Sequence, residues 1–190
     1  MQIDYRRRWA GVRRALRDAD ADAFIAVGAG NTRWLASTES PPGSPPSSTL
    51  NYVFVPRRGA PIGITSSLEG HRCRKEAGVR DLRLWSGYPD VGAEFASAKA
   101  ALKALLEERE VGSVLSDAVL RLQRGVAVER STAVRDLRAR KAPDEQERIR
   151  VAVRHADAGQ RFARELCEVG AGLTEFEVAT EIDYFLRRRG

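Results

Sequence analysis

Apolar positions recur in this chain with two periods. Over residues 4–20, Trp9, Val12 and Leu16 fall at helical spacing with arginines between them, and Asp4 stands where a cap belongs. The core of the next stretch, Ala23 to Val27, is short and almost wholly apolar, as an interior strand requires. Gly28-Ala29-Gly30-Asn31-Thr32 then predicts a tight turn into a short helix, with Asn31 or Thr32 as cap and Trp34 and Leu35 packing inward. Leu50 to Val55 and Pro61 to Thr65 flank Pro56-Arg57-Arg58-Gly59-Ala60 and read as a hairpin. A short basic helix begins at Ser66 or Ser67, with Glu69 as the reciprocal partner, and carries His71 and Cys73.

The alternation continues. Val79 to Trp85 predicts a strand, and Ala93 to Glu108 a helix whose face is Phe95, Ala98, Leu102 and Leu105. Val111 to Leu115 predicts a strand with Asp117 just beyond it. Residues 118–124 read as a short helix, and Ala127-Val128-Glu129 with Ala133-Val134 as a last strand. Alternating strands and helices to about residue 135 give an α/β class with a mostly parallel or mixed sheet covered by helices.

The pattern changes at Lys141-Ala142-Pro143-Asp144-Glu145-Gln146-Glu147. Proline suits a helix start, Asp144 can cap with Glu147 three residues on, and the acids complement the helix dipole. A helix over 144–168 places Ile149, Val153, Ala156, Gln160, Ala163 and Cys167 on one face. Gly170 and Gly172 stop it. Thr174 and Glu177 form a capping box for a second helix with Val178, Ile182 and Phe185 on its apolar side, ending at Gly190 as its cap. No strand follows, so this helix pair reads as the opening of a second domain whose body is absent. Residues 37–49 hold four prolines among serines and predict a mobile surface loop.

Composition narrows the classes. With 190 residues and 43% apolar positions the chain supports one domain, or one domain and a piece of another. No run of about twenty apolar residues predicts a membrane span. The start lacks the apolar block of a secretory signal, and Cys73 and Cys167 fit no disulfide framework, so a cytoplasmic protein is expected. Lys+Arg 32 against Asp+Glu 26 gives a net charge of +6. Arg6-Arg7-Arg8 and Arg187-Arg188-Arg189 are the dense spots. Helix-surface solubility accounts for them more simply than nucleic-acid binding, which is not expected.

No residue of the sequence is expected to be catalytic, cofactor-binding or metal-binding. His71 and His155 lie in different halves, and no H-x-x-x-H or H-E-x-x-H occurs. Asp157 and His155 occupy different helix faces, Asp183 reads as a solvated charge, and no G-x-S-x-G elbow is present. Gly28 and Gly30 lack the spacing of a phosphate loop.

The order of elements and several segments together resemble the pita-bread metallopeptidases, the Xaa-Pro dipeptidases and aminopeptidases, prolidases and creatinases. The likeness rests on A-D-A-F-I-A-V, G-N-T-R-W-L-A (residues 30–36), N-Y-V-F-V-P-R-R-G-A-P-I (51–62), V-R-D-L-R-A-R-K-A-P-D-E-Q-E-R-I-R-V-A (134–152) and G-L-T-E-F-E-V-A-T-E-I-D (172–183). It implies a creatinase-type N-terminal domain over residues 1–135, with a mixed sheet flanked by helices. Residues 136–190 would be the junction and the start of an incomplete α+β pita-bread domain, represented by two helices. Complete members bind two divalent metal ions (manganese, cobalt or zinc) through two aspartates, one histidine and two glutamates. None of those ligands falls on this sequence, so no cofactor is expected in the chain.

The resemblance therefore implies the N-terminal portion of a metal-dependent Xaa-Pro peptidase, inactive as these 190 residues. A homodimer through the N-terminal domain, and a missing catalytic half or another protein over the last two helices, are the implied partners. The alternatives are a noncatalytic dimerisation or protein-binding module, and a creatinase-like parent acting on a small non-peptide C–N bond.

Overall fold

A computed structural model describes residues 3–36, 50–88, 93–169 and 172–189. The chain divides into two compact units, Gln2–Arg140 and Lys141–Gly190. The proline-serine stretch expected to be a mobile loop lies outside the described residues, as do Gly170 and Gly190.

The first unit is built on a mixed sheet. Its strands are β1 (Ala23–Ala26), β2 (Leu50–Pro56), β3 (Ile62–Ser66), β4 (Asp81–Trp85), β5 (Ser113–Ser116) and β6 (Ala127–Arg130). The described strands form one sheet in the order β4-β3-β2-β1-β5-β6. β2 runs antiparallel to β1 and β3, while β3/β4, β1/β5 and β5/β6 are parallel. β1 lies inside the sheet and all four of its residues are buried, which explains its unalternating apolar sequence.

The residues of β1 still sort by face. Phe24 and Ala26 join the core under helices α1 (Tyr5–Asp18), α2 (Ala29–Ala36), α3 (Ser67–Glu76) and α5 (Ala133–Ala139), through Val12, Leu16, Leu35, Cys73 and Val134. Ala23 and Ile25 join the opposite core under α4 (Ala98–Glu108), with Phe54, Ile64, Leu102 and Leu105. The expected α/β class, a mixed sheet flanked by helices, is the observed one.

Local chemistry sets the joints. The Asp4 carboxylate accepts from the Arg7 amide at 3.0 Å and caps α1. The expected β2–β3 hairpin turns at Gly59, whose φ of 93° lies in the left-handed region that favours glycine. Gly63 in β3 answers a different need. A Cβ there would meet Leu82 at 2.8 Å and Leu50 and Val79 at 3.0 Å, so only hydrogen fits between those side chains.

Several expected elements differ. The helix expected from Ala93 begins at Ala98, where the Ser97 hydroxyl accepts from the Ala100 amide. Phe95 instead bridges to Trp85, its carbonyl accepting from the Ser86 amide at 2.9 Å. No helix forms over residues 118–124. There the Ser116 hydroxyl accepts from the Ala118 amide, and Leu120 and Leu122 pack singly against the core under α4. Ala133 and Val134 belong to α5 and not to the last strand. The Ser131 hydroxyl accepts from the Ala133 amide, and Val134 and Leu137 point into the core at helical spacing. Asn31 and Thr32 lie inside α2 rather than capping it, because the Gly28 carbonyl already accepts from both of their amides. Ser66 does cap α3, accepting from the Leu68 amide, but Glu69 pairs with Arg72.

The second unit is a helical pair, α6 (Pro143–Val169) and α7 (Glu175–Arg189). Pro143 takes the first helical position. The reciprocal acid is therefore Glu145, which accepts from the Ala142 amide at 2.9 Å, and not the expected Asp144–Glu147 combination. Glu147 turns to Arg150 and Arg154. The capping box of α7 forms as expected: Glu177 accepts from the Thr174 amide at 2.8 Å, and Thr174 accepts from the Glu177 amide at 3.3 Å. The amide and hydroxyl of Thr174 hold the Glu177 carboxyl below the usual glutamate value. Buried Gly159 lets Leu186 approach α6, and the rings of Phe162 and Phe185 stack with centroids 4.3 Å apart. Ile149, Val153 and Phe176 remain exposed. No described helix is long and apolar enough to cross a membrane.

Leu16 is fully buried between α1 and the sheet. Leu16→Ala is expected to lower stability by about 2–5 kcal/mol, read as an earlier urea midpoint with an unchanged m-value.

Candidate functional site

In open α/β sheets, ligands settle outside the carboxyl ends of the strands, where neighbouring chains diverge. Here that place is the end of the parallel β1/β5 pair. β1 continues through Val27 and Gly28 into α2, and β5 continues into Asp117. A turn of this kind exposes backbone N–H groups that attract anions.

The chain supplies its own anion. One oxygen of Asp117 accepts from the Val27 amide at 2.8 Å. The other accepts from the Gly28 amide at 3.1 Å and from the Asn31 side-chain amide at 2.6 Å. The Asn31 carbonyl oxygen accepts in turn from Arg138 Nη1 of α5 at 2.7 Å. A side chain at Gly28 would crowd Asp117 at 3.2 Å, and one at Gly30 would crowd the Arg138 guanidinium at 3.0 Å. The two glycines thus serve close approach by protein groups.

The other end of the same strand pair carries a matching contact. Asp22, just before β1, accepts from the Gly112 amide at 3.0 Å and from the Ser113 amide at 2.9 Å. Partial burial pushes its carboxyl up. The Ser113 and Gly112 amides, the Ser113 hydroxyl and the Arg57 charge outweigh that and hold it below the usual value of 3.8.

Asp117, Asn31 and Arg138 form a connected polar cluster at the carboxyl ends of β1 and β5. Sequence reading noted Asp117 only as following a strand, and placed Asn31 as a cap. Separations of 86 residues from Asp117 to Asn31 and 107 from Asn31 to Arg138 hide the cluster from any local motif. The available signal was an acid directly after a strand, facing a glycine turn that carries an asparagine. Chemically the cluster satisfies donors. It contains no nucleophile with an adjacent base.

The remaining candidates do not converge. His71 is exposed while Cys73, on the same helix, is buried with its sulfur 3.8 Å from the Thr65 hydroxyl. His155 is half-buried, Asp157 is exposed, and Asp183 pairs with Arg187 at 2.7 Å. Among the described residues no three His, Cys, Asp or Glu side chains gather to hold a metal ion. The residues present therefore do not fit a dinuclear metal centre. A surface groove of about 410 Å³ beside the start of α4 is lined by Lys99, Lys103, Arg121 and Gln123 around Ala100 and Leu122, without an acid–base pair.

No protein family and no curated protein matches the chain by sequence. Solved structures do match by fold. A prolidase from Pyrococcus horikoshii OT3 superposes with a TM-score of 0.70 at 18% identity, over 97% of this chain and 49% of its own. An X-Pro aminopeptidase from Thermotoga maritima MSB8 gives 0.74 at 15% identity, over 96% and 49%. The dipeptidase PepE from Mycobacterium ulcerans gives 0.59 at 21% identity, over 100% and 52%. The chain spans about half the length of these structures. The likeness establishes the fold, that of a creatinase-type N-terminal domain followed by two helices of the pita-bread architecture.

Two outcomes follow for the aspartates. Asp117→Ala leaves the Val27 and Gly28 amides and the Asn31 side-chain amide, all part-buried or exposed, to water, and is expected to cost about 1–2 kcal/mol in urea unfolding. Asp22 has a lowered folded pKa, so its contribution is complete above the usual aspartate value and is lost as pH falls through the folded one. The stability difference between the wild type and Asp22→Asn should therefore stay constant from neutral pH to about 5 and shrink below about 4. A difference that grows on acidification would contradict this assignment.

Proposed function

We propose that this chain is the N-terminal portion of a metal-dependent Xaa-Pro peptidase, which hydrolyses the bond preceding proline, and that the 190 residues alone are inactive. The observation that carries the reading is the fold likeness to a prolidase and an X-Pro aminopeptidase, which takes in nearly all of this chain and about half of theirs. Residues 1–135 act as the N-terminal domain and residues 136–190 open the catalytic one. The parent works in the cytoplasm as a homodimer through its N-terminal domain.

In this reading the metal ligands lie in the part of the protein not represented here. Two divalent ions, when bound there, activate water for hydrolysis. The residues of this chain have other tasks. Asp117, Asn31 and Arg138 keep the carboxyl end of the sheet rigid, so that the unit can shape an entrance to the site. Ile149, Val153 and Phe176 await cover, which the catalytic body provides.

The reading frame past codon 190 of the native locus tests this. The frame is expected to continue and to supply two aspartates, one histidine and two glutamates in that order. The long product should release proline from Xaa-Pro dipeptides with added manganese, cobalt or zinc, while the 190-residue chain does not. A stop with no such residues, or a long product inert on every Xaa-Pro dipeptide, overturns the proposal.

A further inference from the structure

The arginines of α1, read from the sequence as a solvated helix surface, are collected by the fold into one patch. Val12 and Leu16 bury one side of α1 completely. At about 100° per residue, Arg6, Arg17, Arg14 and Arg7 fall within roughly 100° of circumference on the side turned away from that core. All four are exposed, and their side chains have no ion-pair or hydrogen-bond partner among the described residues.

A fifth arginine extends the patch. Arg13 donates to the carbonyls of Pro56 and Gly59 and so pins the β2–β3 turn along α1. That turn carries Arg58, exposed and likewise without a partner among the described residues. The acids on α1 and the elements packed against it are engaged or lie at its ends: Asp4 accepts from the Arg7 amide, Asp18 closes α1 four residues after Arg14, Asp20 is held by Arg57 at 2.7 Å, and Asp136 of α5, the helix whose Leu137 meets Gly11, is bonded to Thr132 and Arg135. Five exposed guanidiniums without an ion-pair partner among the described residues therefore stand on α1 and on the turn that Arg13 ties to it.

We infer that this α1 face binds the phosphate backbone of double-stranded nucleic acid, without reading sequence. Guanidiniums match phosphate geometry, and the helix fixes the spacing of the residues that carry them, Arg6 and Arg17 being about 16 Å apart along its axis. The arc carries no aromatic side chain, only Ala10 among the arginines, so it offers no stacking platform for single-stranded bases. The apolar side of α1 is spent on the protein core, which removes the wedge that an interfacial membrane helix inserts. What remains is a row of cations suited to a rigid polyanion. This inference is independent of the peptidase reading, and rests on the folded first unit alone.

Fluorescence anisotropy with a labelled random-sequence 20-base-pair duplex tests it, titrated between about 50 and 200 mM salt. The chain is expected to bind, with log K falling linearly against log salt by about 0.9 for each phosphate neutralised, a slope of about −4.5 for five. Arg6→Gln, Arg7→Gln, Arg14→Gln and Arg17→Gln together should weaken binding at least about tenfold at the lowest salt and flatten the slope by about 3.6. Arg14→Gln alone should flatten it by about 1, which keeps the test available if the fourfold variant does not fold. Arg187→Gln, Arg188→Gln and Arg189→Gln together should leave the slope unchanged. Absence of salt-sensitive retention at 50 mM overturns the inference. So does equal loss from the α7 variant, or a tighter hold on an acidic polypeptide such as polyglutamate than on the duplex.

Discussion

The unit that carries most of this structure depends on satisfying the backbone of a strand of four residues. β1 sits between an antiparallel and a parallel neighbour, and its side chains enter both cores. Such a strand cannot lean on its own length. It is fixed instead by carboxylates at the two ends of the β1/β5 pair: Asp22 takes the amides at the start of β5, and Asp117 takes the amides that follow β1. A carboxylate accepts from a backbone amide more strongly than a neutral acceptor does, and these part-buried or exposed amides gain a fixed partner in place of water. These two contacts therefore set where the sheet begins and where α2 leaves it.

From that clamp the helical layer follows. Asn31 enters α2 already bonded to Asp117, and it holds Arg138, so α5 is tied to the carboxyl end of the sheet through a chain of polar contacts. Aspartate does three kinds of work in this protein. Asp4 caps a helix, Asp22 and Asp117 replace missing backbone acceptors, and Asp183 forms an exposed ion pair with Arg187. The partners, and not the residue type, distinguish these roles. These acids therefore show no catalytic spacing along the chain and are nonetheless structurally engaged.

The helical unit shows the complementary situation. α6 and α7 meet through a narrow seam of Gly159, Phe162, Phe185 and Leu186, and apolar side chains elsewhere on both helices remain in solvent. Architecture at this level of identity transfers as fold. Chemistry depends on particular side chains converging, and the described residues bring no metal-binding group together.

The sequence by itself determined the class, the change from alternating to helical pattern at Lys141, the buried run of β1, the Ser66 and Asp4 caps and the Thr174–Glu177 box. All of these are governed by side chains within a few residues of one another, so local spacing suffices. It misplaced the start of α4, the segment 118–124 and residues 133–134, where Phe95, Ser116 and Ser131 each bond across a break in the periodicity. Only the tertiary structure decided the strand order, the partnership of Asp117 with Asn31 and Arg138, and the gathering of the α1 arginines beside Arg58. These depend on groups far apart along the chain, whose distance in space is set by how the sheet is threaded and which helix face it buries.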